Sequence, residues 1–449
     1  MSIKSKTAII ILTLLVLSAF IIPVSTQQID IKSNSFNKTH YLQKEKIFSK
    51  MTLNIESYGD ISAGASKITI TPDLSKYQTI YLAGFDRNRK STDVHDDIWA
   101  RCCCFRIGNI TIAIVSVDLI GVMYHEYLSI LEQLPADLSI DLVLLTSTHN
   151  HEGPDTLGLW GEGLNSGITI AWYQEAIDRI ADCIIDAYEK MQPAGFLFGH
   201  TNATGLSRDS RKPHIIEEQI ETIQVIDKQQ KPITTLVFYA SHPEVLWDDN
   251  TCITSDYPHY LYQYIEKQTN GSCQLITGPI GGLITPNTES HTFKDAQYFG
   301  ETIGNLSLTS IQKQKITWNT KISLKSSSIF IPMTNPIFRL ASILNILERP
   351  LYYCRTHLKS MVNVIEMGNQ SNLAQIITVP GEDFPENWFE IKEKLHATHK
   401  IHIGLCNDEL GYIVPIEDFD VTDYEESMSA SRFLDPIIHL TIEEMLTIK

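Results

Sequence analysis

The chain has 449 residues, 43% of them hydrophobic and 20% charged, and carries a formal net charge of −17 at pH 7. This is an ordinary globular composition with ample apolar material for a large core. The acidic balance excludes nucleic acid as a partner, and the eight cysteines, with no Cys-x-x-Cys pair among them, exclude a finger-type thiolate zinc site.

In chain order, Lys4 and Lys6 precede an uncharged run from Ala8 to Val24 that ends in the small residues Ser25 and Thr26. Residues 1–26 therefore read as an export element, either a cleaved signal peptide or a retained membrane anchor, so that the body is secreted or membrane-anchored. Its removal would take the formal charge to −19. Residues 27–57 are polar and read as a tether, leaving 58–449 as one large domain.

Short apolar runs bounded by polar or turn residues predict strands at Ile110–Val117, Leu142–Leu145, Ile220–Ile226, Thr235–Tyr239, Cys273–Ile276, Ile376–Val379 and Ile401–Leu405. Ile177, Ile180, Ile184 and Ile185 recur at helical spacing within Ala171–Met191, and a second helix is expected around Tyr260–Lys267. This alternation predicts a layered α/β domain with central β-sheets flanked by helices.

Within Asn335–Val362, Ile337, Phe338, Leu340, Leu344, Leu347 and Leu351 alternate with Arg339, Arg349, Arg355 and Lys359. Such a stretch reads either as a core-packing helix with a solvated face or as one that lies in a membrane interface or lines an apolar tunnel. Cys252 and Cys273 could pair in an oxidising compartment; the alternative is buried free thiols.

The chemistry concentrates at strand ends. The run Leu142–Leu145 leads into Thr146-Ser147-Thr148-His149-Asn150-His151-Glu152-Gly153-Pro154. Side chains two apart in an extended chain share a side, so His149 and His151 can reach one ion, although two histidines leave a zinc site half built. Further strand-like runs end in Ser241-His242-Pro243-Glu244, in Pro380-Gly381-Glu382 and in Asn407-Asp408-Glu409-Leu410-Gly411-Tyr412. Taken singly, each of these residues could equally be a loop cap, a solvated turn carboxylate or a core tyrosine.

The order of these motifs resembles the neutral (neutral/alkaline non-lysosomal) ceramidases, zinc amidases that cleave the N-acyl bond of ceramide. The resemblance runs from about Gly64 to Ser429. It begins with Ala65–Pro72, Leu82-Ala83-Gly84-Phe85 and His95–Arg101, and continues through His149–Pro154, His242, Pro380-Gly381-Glu382, Gly411-Tyr412 and Tyr424-Glu425. It implies zinc as cofactor, held by His149, His242, Glu382 and Tyr412 at strand ends. It also implies a water activated for attack on an amide carbonyl, with His151 and Tyr424 moving the proton or stabilising the oxyanion. His95, Asp96 and Asp97 are expected to support the site.

The sequence departs from the family pattern where Glu152 stands for a serine, and where Gly282–Asn287 carries Leu283 for an aspartate and Thr285 for a serine. Thr285 keeps a hydroxyl, with fewer rotamers. Ser207-Arg208-Asp209-Ser210 keeps the arginine of another family element, and Arg208 is the expected substrate anchor. The implied substrate is a lipid, ceramide or a related N-acyl lipid, met at a membrane surface. Full-length relatives continue into a C-terminal β-sandwich domain, which is expected to be absent here. Two other readings remain open: a zinc hydrolase of another amide or ester, and a non-catalytic membrane-tethered binding protein with a structural ion.

Overall fold

The structure, a computed structural model, describes residues 49–448 except 164, 344–346, 348, 354, 370 and 371. The export element and residues 27–48 of the tether lie outside the described residues. The first strands are β1 (Ser49–Thr69), β2 (Asp93–Val94), β3 (Trp99–Ile107), β4 (Ile110–Val117), β5 (Leu142–Ser147) and β6 (Gln192–Asn202). There follow β7 (Ser207–Asp209), β8 (Gln219–Asp227), β9 (Pro232–Tyr239), β10 (Cys252–Ile253), β11 (Ser272–Thr277) and β12 (Ile284–Pro286). The last are β13 (Asn319–Pro332), β14 (His357–Asn369), β15 (Asn372–Thr378), β16 (Glu382–Asp383), β17 (His399–Ile403) and β18 (Tyr412–Ile413).

Twelve strands form one continuous sheet that turns at β1. Ser49–Asp60 of β1 pair antiparallel with β13, whereas Ile61–Thr69 pair with β3 and Ile61–Ala63 also with β6. One half-sheet therefore runs β5-β4-β3-β1-β6-β8-β9-β11 and the other β1-β13-β14-β15-β17. Phe105, Ile112, Phe196 and Phe198 of the first pack against Leu324, Ile365, Ile376 and Ile403 of the second. Helices Tyr124–Gln133, Ile170–Glu189, Tyr257–Thr269 and Phe293–Ile311 cover the outer face of the first half, and Pro385–Lys394 and Leu434–Thr447 that of the second. The expected α/β layering, sheets inside and helices outside, is the observed architecture.

Period-2 alternation sorts the three contiguous cysteines: Cys102 and Cys104 face the helices while Cys103 faces the inter-sheet core. All three are buried free thiols. Cys252 and Cys273 are free as well, the second of the two readings; Cys273 is buried inside β11, and Cys252 lies half-buried in β10.

Two further expectations change. Ser49–Ser57, read as tether, are the first part of β1; Leu53 and Ile55 pack on the inter-sheet core, and the bulge between Met51 and Leu53 turns Met51 to the opposite face. Asn335–Val362 is not one helix. Among the described residues the helix covers Pro336–Ile343, Tyr353 and Arg355 take positive φ (47° and 61°), and His357 already begins β14. No helix among the described residues is long and apolar enough to cross a membrane.

Three parallel pairs, β4/β5, β9/β11 and β15/β17, deliver their carboxyl ends to one place. Thr277 Oγ1 donates to the Ser147 carbonyl (2.9 Å), Gly404 N to that of Thr277 (2.8 Å) and Val379 N to that of Ile403 (2.9 Å). These bonds lock the ends of four strands from both half-sheets together. The loops that follow them carry the polar motifs.

Candidate metal centre

His149 follows β5 with φ of +63°, and its Nδ1 donates to the Ile120 carbonyl at 2.6 Å. His242 follows β9, and its Nδ1 donates to the Ile284 carbonyl, also at 2.6 Å. A carbonyl can only accept, so both rings carry their proton on Nδ1 and turn the Nε2 lone pair inward, the tautomer a metal ligand needs. The two Nε2 atoms lie 3.5 and 3.2 Å from the same oxygen, Glu382 Oε2.

Glu382 opens β16, whose parallel partner β18 sets Glu382 opposite Tyr412. The Tyr412 side chain hydrogen-bonds the Glu382 carboxylate. A Cβ on Gly381 would stand 2.6 Å from the Gly411 carbonyl oxygen, so only glycine lets these two loops close up. The four expected ligands thus share one buried spot.

His151 joins them. The centroids of the His149, His151 and His242 rings are 5.0–5.3 Å apart, and one ligand nitrogen from each lies within 4.8 Å of the others. His151 Nδ1 is 3.0 Å from Glu244 Oε2 without hydrogen-bond alignment, and both its buried ring nitrogens lack a partner among the described residues. Phe85 packs edge-on against this ring at 5.0 Å, and Gly84 (φ +94°) leaves room for it, since a Cβ there would meet His151 Cγ at 2.3 Å.

Burial pushes His149 and His151 well below the ordinary histidine range, with the neighbouring His242 adding to it. Burial likewise pushes Glu382 well above the carboxylate range; Glu244 and Glu425 add to this and the Tyr412 bond opposes it. Neutral imidazoles, a crowded carboxylate and orphaned buried nitrogens fit a divalent cation. The mixed nitrogen and oxygen donors suit a borderline metal.

Of the other expected residues, Thr285 and Arg208 lie beside Glu244 and Tyr424 beside Tyr412. Thr285 in β12 is buried and hydrogen-bonds Glu244, and Arg208 is its cross-strand partner in β7, exposed and close enough to Glu244 to act on its charge. Tyr424 is exposed, its ring 6.2 Å from that of Tyr412. Its neighbours Glu425 and Glu426 are tied to Arg211, at 3.2 and 2.8 Å. Arg211 thereby fixes the Tyr424 segment, a role that no sequence motif announces. Asp96 binds His95 at 2.8 Å, His259 at 3.2 Å and the Ser255 amide at 2.9 Å, pinning the loop before the helix Tyr257–Thr269.

Glu152 is fully buried and engaged by Arg89 (3.2 Å) and Asn250 (2.7 Å). Arg89 also donates to the carbonyls of Ala83 and His151, so this ion pair clamps the backbone that carries His151. Behind Glu382, Asp383 receives His402 Nε2 at 3.0 Å, His439 Nε2 at 3.2 Å and Asn387 Nδ2 at 3.0 Å. His439 and His402 are far from Asp383 in sequence, which is why sequence reasoning misses this support.

No protein-family model matches the chain. It is 25% identical over 217 residues to neutral ceramidase A of Dictyostelium discoideum and 24% identical over 180 residues to neutral ceramidase B of the same organism. Those stretches are 41% and 34% of this chain, and only 30% and 25% of the relatives' own lengths. In three dimensions it is similar to the neutral ceramidase of Pseudomonas aeruginosa, with a TM-score of 0.69 and 14% identity over 88% of this chain and 76% of that one. A ceramidase complexed with C2 gives a TM-score of 0.68 and 15% identity over 87% and 76%. Through local sequence similarity to the first pair and a shared fold with the second, the chain is related to the neutral ceramidases.

Proposed function

We propose that the chain is a zinc-dependent amidohydrolase that cleaves the N-acyl bond of ceramide or a related N-acyl lipid, releasing a sphingoid base and a fatty acid. The observation that carries this reading is the convergence of the His149 and His242 Nε2 atoms on Glu382 Oε2, with both Nδ1 protons bound to carbonyls. His149, His242, Glu382 and Tyr412 would hold the ion. When bound, zinc polarises a carbonyl oxygen and lowers the pKa of a water to about 7.

The chain's own residues supply the rest. His151, kept neutral by burial, is free to accept a proton, and Glu244 beside its Nδ1 favours the protonated ring once formed. The proton can then pass to the leaving amine. Tyr424, at the rim next to Tyr412, is the hydroxyl donor for the developing oxyanion. Thr285 holds Glu244 in place, and Arg208 opposite it would anchor a substrate carbonyl or hydroxyl.

An apolar cavity of about 60 Å³ suits the start of an acyl chain. It is lined by Met123, Leu157, Met333, Phe338, Leu347 and Met428 beside Gly411. Phe338 and Leu347 come from the apolar-basic segment, whose Arg349 is buried in a paired contact with Asp408 (2.6 and 2.7 Å) rather than solvated. In this reading the chain is exported and works at a membrane surface on a lipid. The test is metal analysis paired with hydrolysis of a fluorescent short-chain ceramide. Near-stoichiometric zinc and chelator-sensitive cleavage are expected, and a zinc-loaded protein that leaves every N-acyl lipid intact would overturn the reading.

A further inference from the structure

The two half-sheets meet at a second set of side chains that the proposed reaction does not use. His200 on β6 and Glu221 on β8 are direct cross-strand partners, and His399 opens β17 on the other half-sheet. His399 Nδ1 lies 2.9 Å from Glu221 Oε2, and the rings of His200 and His399 have centroids 5.4 Å apart. One ligand atom from each of the three lies within 4.8 Å of the others.

The hydrogen bonding here is incomplete. Glu221 is 5% exposed, and while Oε2 is engaged by His399, the buried Oε1 has no partner among the described residues. A buried carboxylate oxygen calls for a donor or a cation. The His200 ring makes no hydrogen bond among the described residues and is exposed, so it can turn without unpacking its surroundings. Lys392, the cation at hand, is already taken: its Nζ bonds Glu217 and Gln219, and Glu217 also accepts from Trp388 Nε1 at 2.7 Å. A cavity of about 20 Å³ lined by Glu221, Glu217, Gln219 and His402 adjoins the cluster, room for one water.

We propose that His200, Glu221 and His399 form a second divalent-cation site, of the zinc class, that staples one half-sheet to the other. Two imidazoles and one carboxylate are a borderline donor set, which favours zinc over calcium or magnesium. The exposed side at His200 leaves the fourth position to water. Because the ligands come from separate strands, only the folded chain assembles them, and bound zinc stabilises that state by mass action.

The test compares zinc content after equilibrium dialysis, and the zinc-dependent rise in melting temperature, between the full chain and two variants. His200→Ala alters an exposed side chain, and Glu221→Gln keeps volume while removing charge. Each is expected to hold one zinc fewer per chain, or to bind that zinc at least about tenfold more weakly, since even outer partners of metal ligands are worth about 10–100-fold. The readout is a difference, so it stands whether or not the His149 centre is loaded. Zinc content and zinc-dependent stabilisation unchanged in both variants would overturn the proposal.

Discussion

Two buried histidine groups flank the adjacent carboxylates Glu382 and Asp383, and His149 of the one and His439 of the other are pushed in opposite directions. On the Glu382 side, His149 and His242 give their Nδ1 protons to carbonyls, and burial drives His149 well below the usual range. On the Asp383 side, burial would also depress His439, but Asp383 and Asp435 overcome it and hold the ring up at about 10. Asp383 in turn, despite burial, is held well below the carboxylate range by His439 and His402. What meets the second ring nitrogen therefore decides the role: a neutral acceptor leaves a lone pair for a metal, and a carboxylate makes an ion pair.

The sharpest way to break this comparison is to remove each carboxylate in turn. Glu382→Ala is expected to lose bound metal and to reduce ceramide hydrolysis by on the order of a thousandfold or more, with little change in the melting temperature of the metal-free protein. Equal unfolding of this variant would mean that Glu382 is structural. Asp383→Asn should do the reverse in kind. Breaking a buried pair costs about 3–5 kcal/mol of stability, read by denaturant unfolding, and loosening the support of a ligand loop costs about 10–100-fold in zinc affinity.

A smaller effect follows from pH. A raised histidine pKa contributes stability that is complete below about 6.5 and is lost as pH rises through about 10. The stability gap between wild type and His439→Gln should thus be widest near pH 6 and shrink toward pH 10; a gap that stays constant would deny that His439 is charged. The smallest expected effect concerns His151, which stands between the two groups because Glu244 faces it without a formed hydrogen bond. Glu244→Gln should lower kcat by roughly tenfold and shift the pH profile of kcat, because general acid–base groups contribute about 10²–10⁴-fold in full. A change in KM alone would assign Glu244 to substrate binding.

Much of the centre is visible in the sequence because β5, β9, β15 and β17 are buried strands written in Leu, Val and Ile, and the polar residue that ends each run marks the loop. That pattern marks His149, His242 and Glu382 as candidates, and the resemblance to the neutral ceramidases picks them out as ligands. The half-exposed strands β13 and β14 escape it because lysines and serines interrupt their apolar positions, as in Lys321, Lys325 and Ser326–Ser328. The Asp383–His402–His439 support and the Arg211 clamp are invisible for another reason. Their members are brought together only by tertiary packing, and no local spacing encodes a pairing between Asp383 and His439. The stretch 335–362 misleads because its composition is helical, while Pro350, Tyr353 and Arg355, the last two in the left-handed region, keep one helix from running through it to β14.

The turn of the sheet at β1 has a consequence for how the chain comes into being. The first strand among the described residues pairs Ser49 with Ile329 and Asp60 with Asn319, so it must wait for nearly three hundred residues of synthesis, on the order of 15–60 s at ordinary translation rates. During that interval a long strand edge stands unpaired, open to mispairing with other chains. Any expressed form that begins at residue 58 lacks much of the stretch that joins the two halves, and would be expected to aggregate before its metal centre could form.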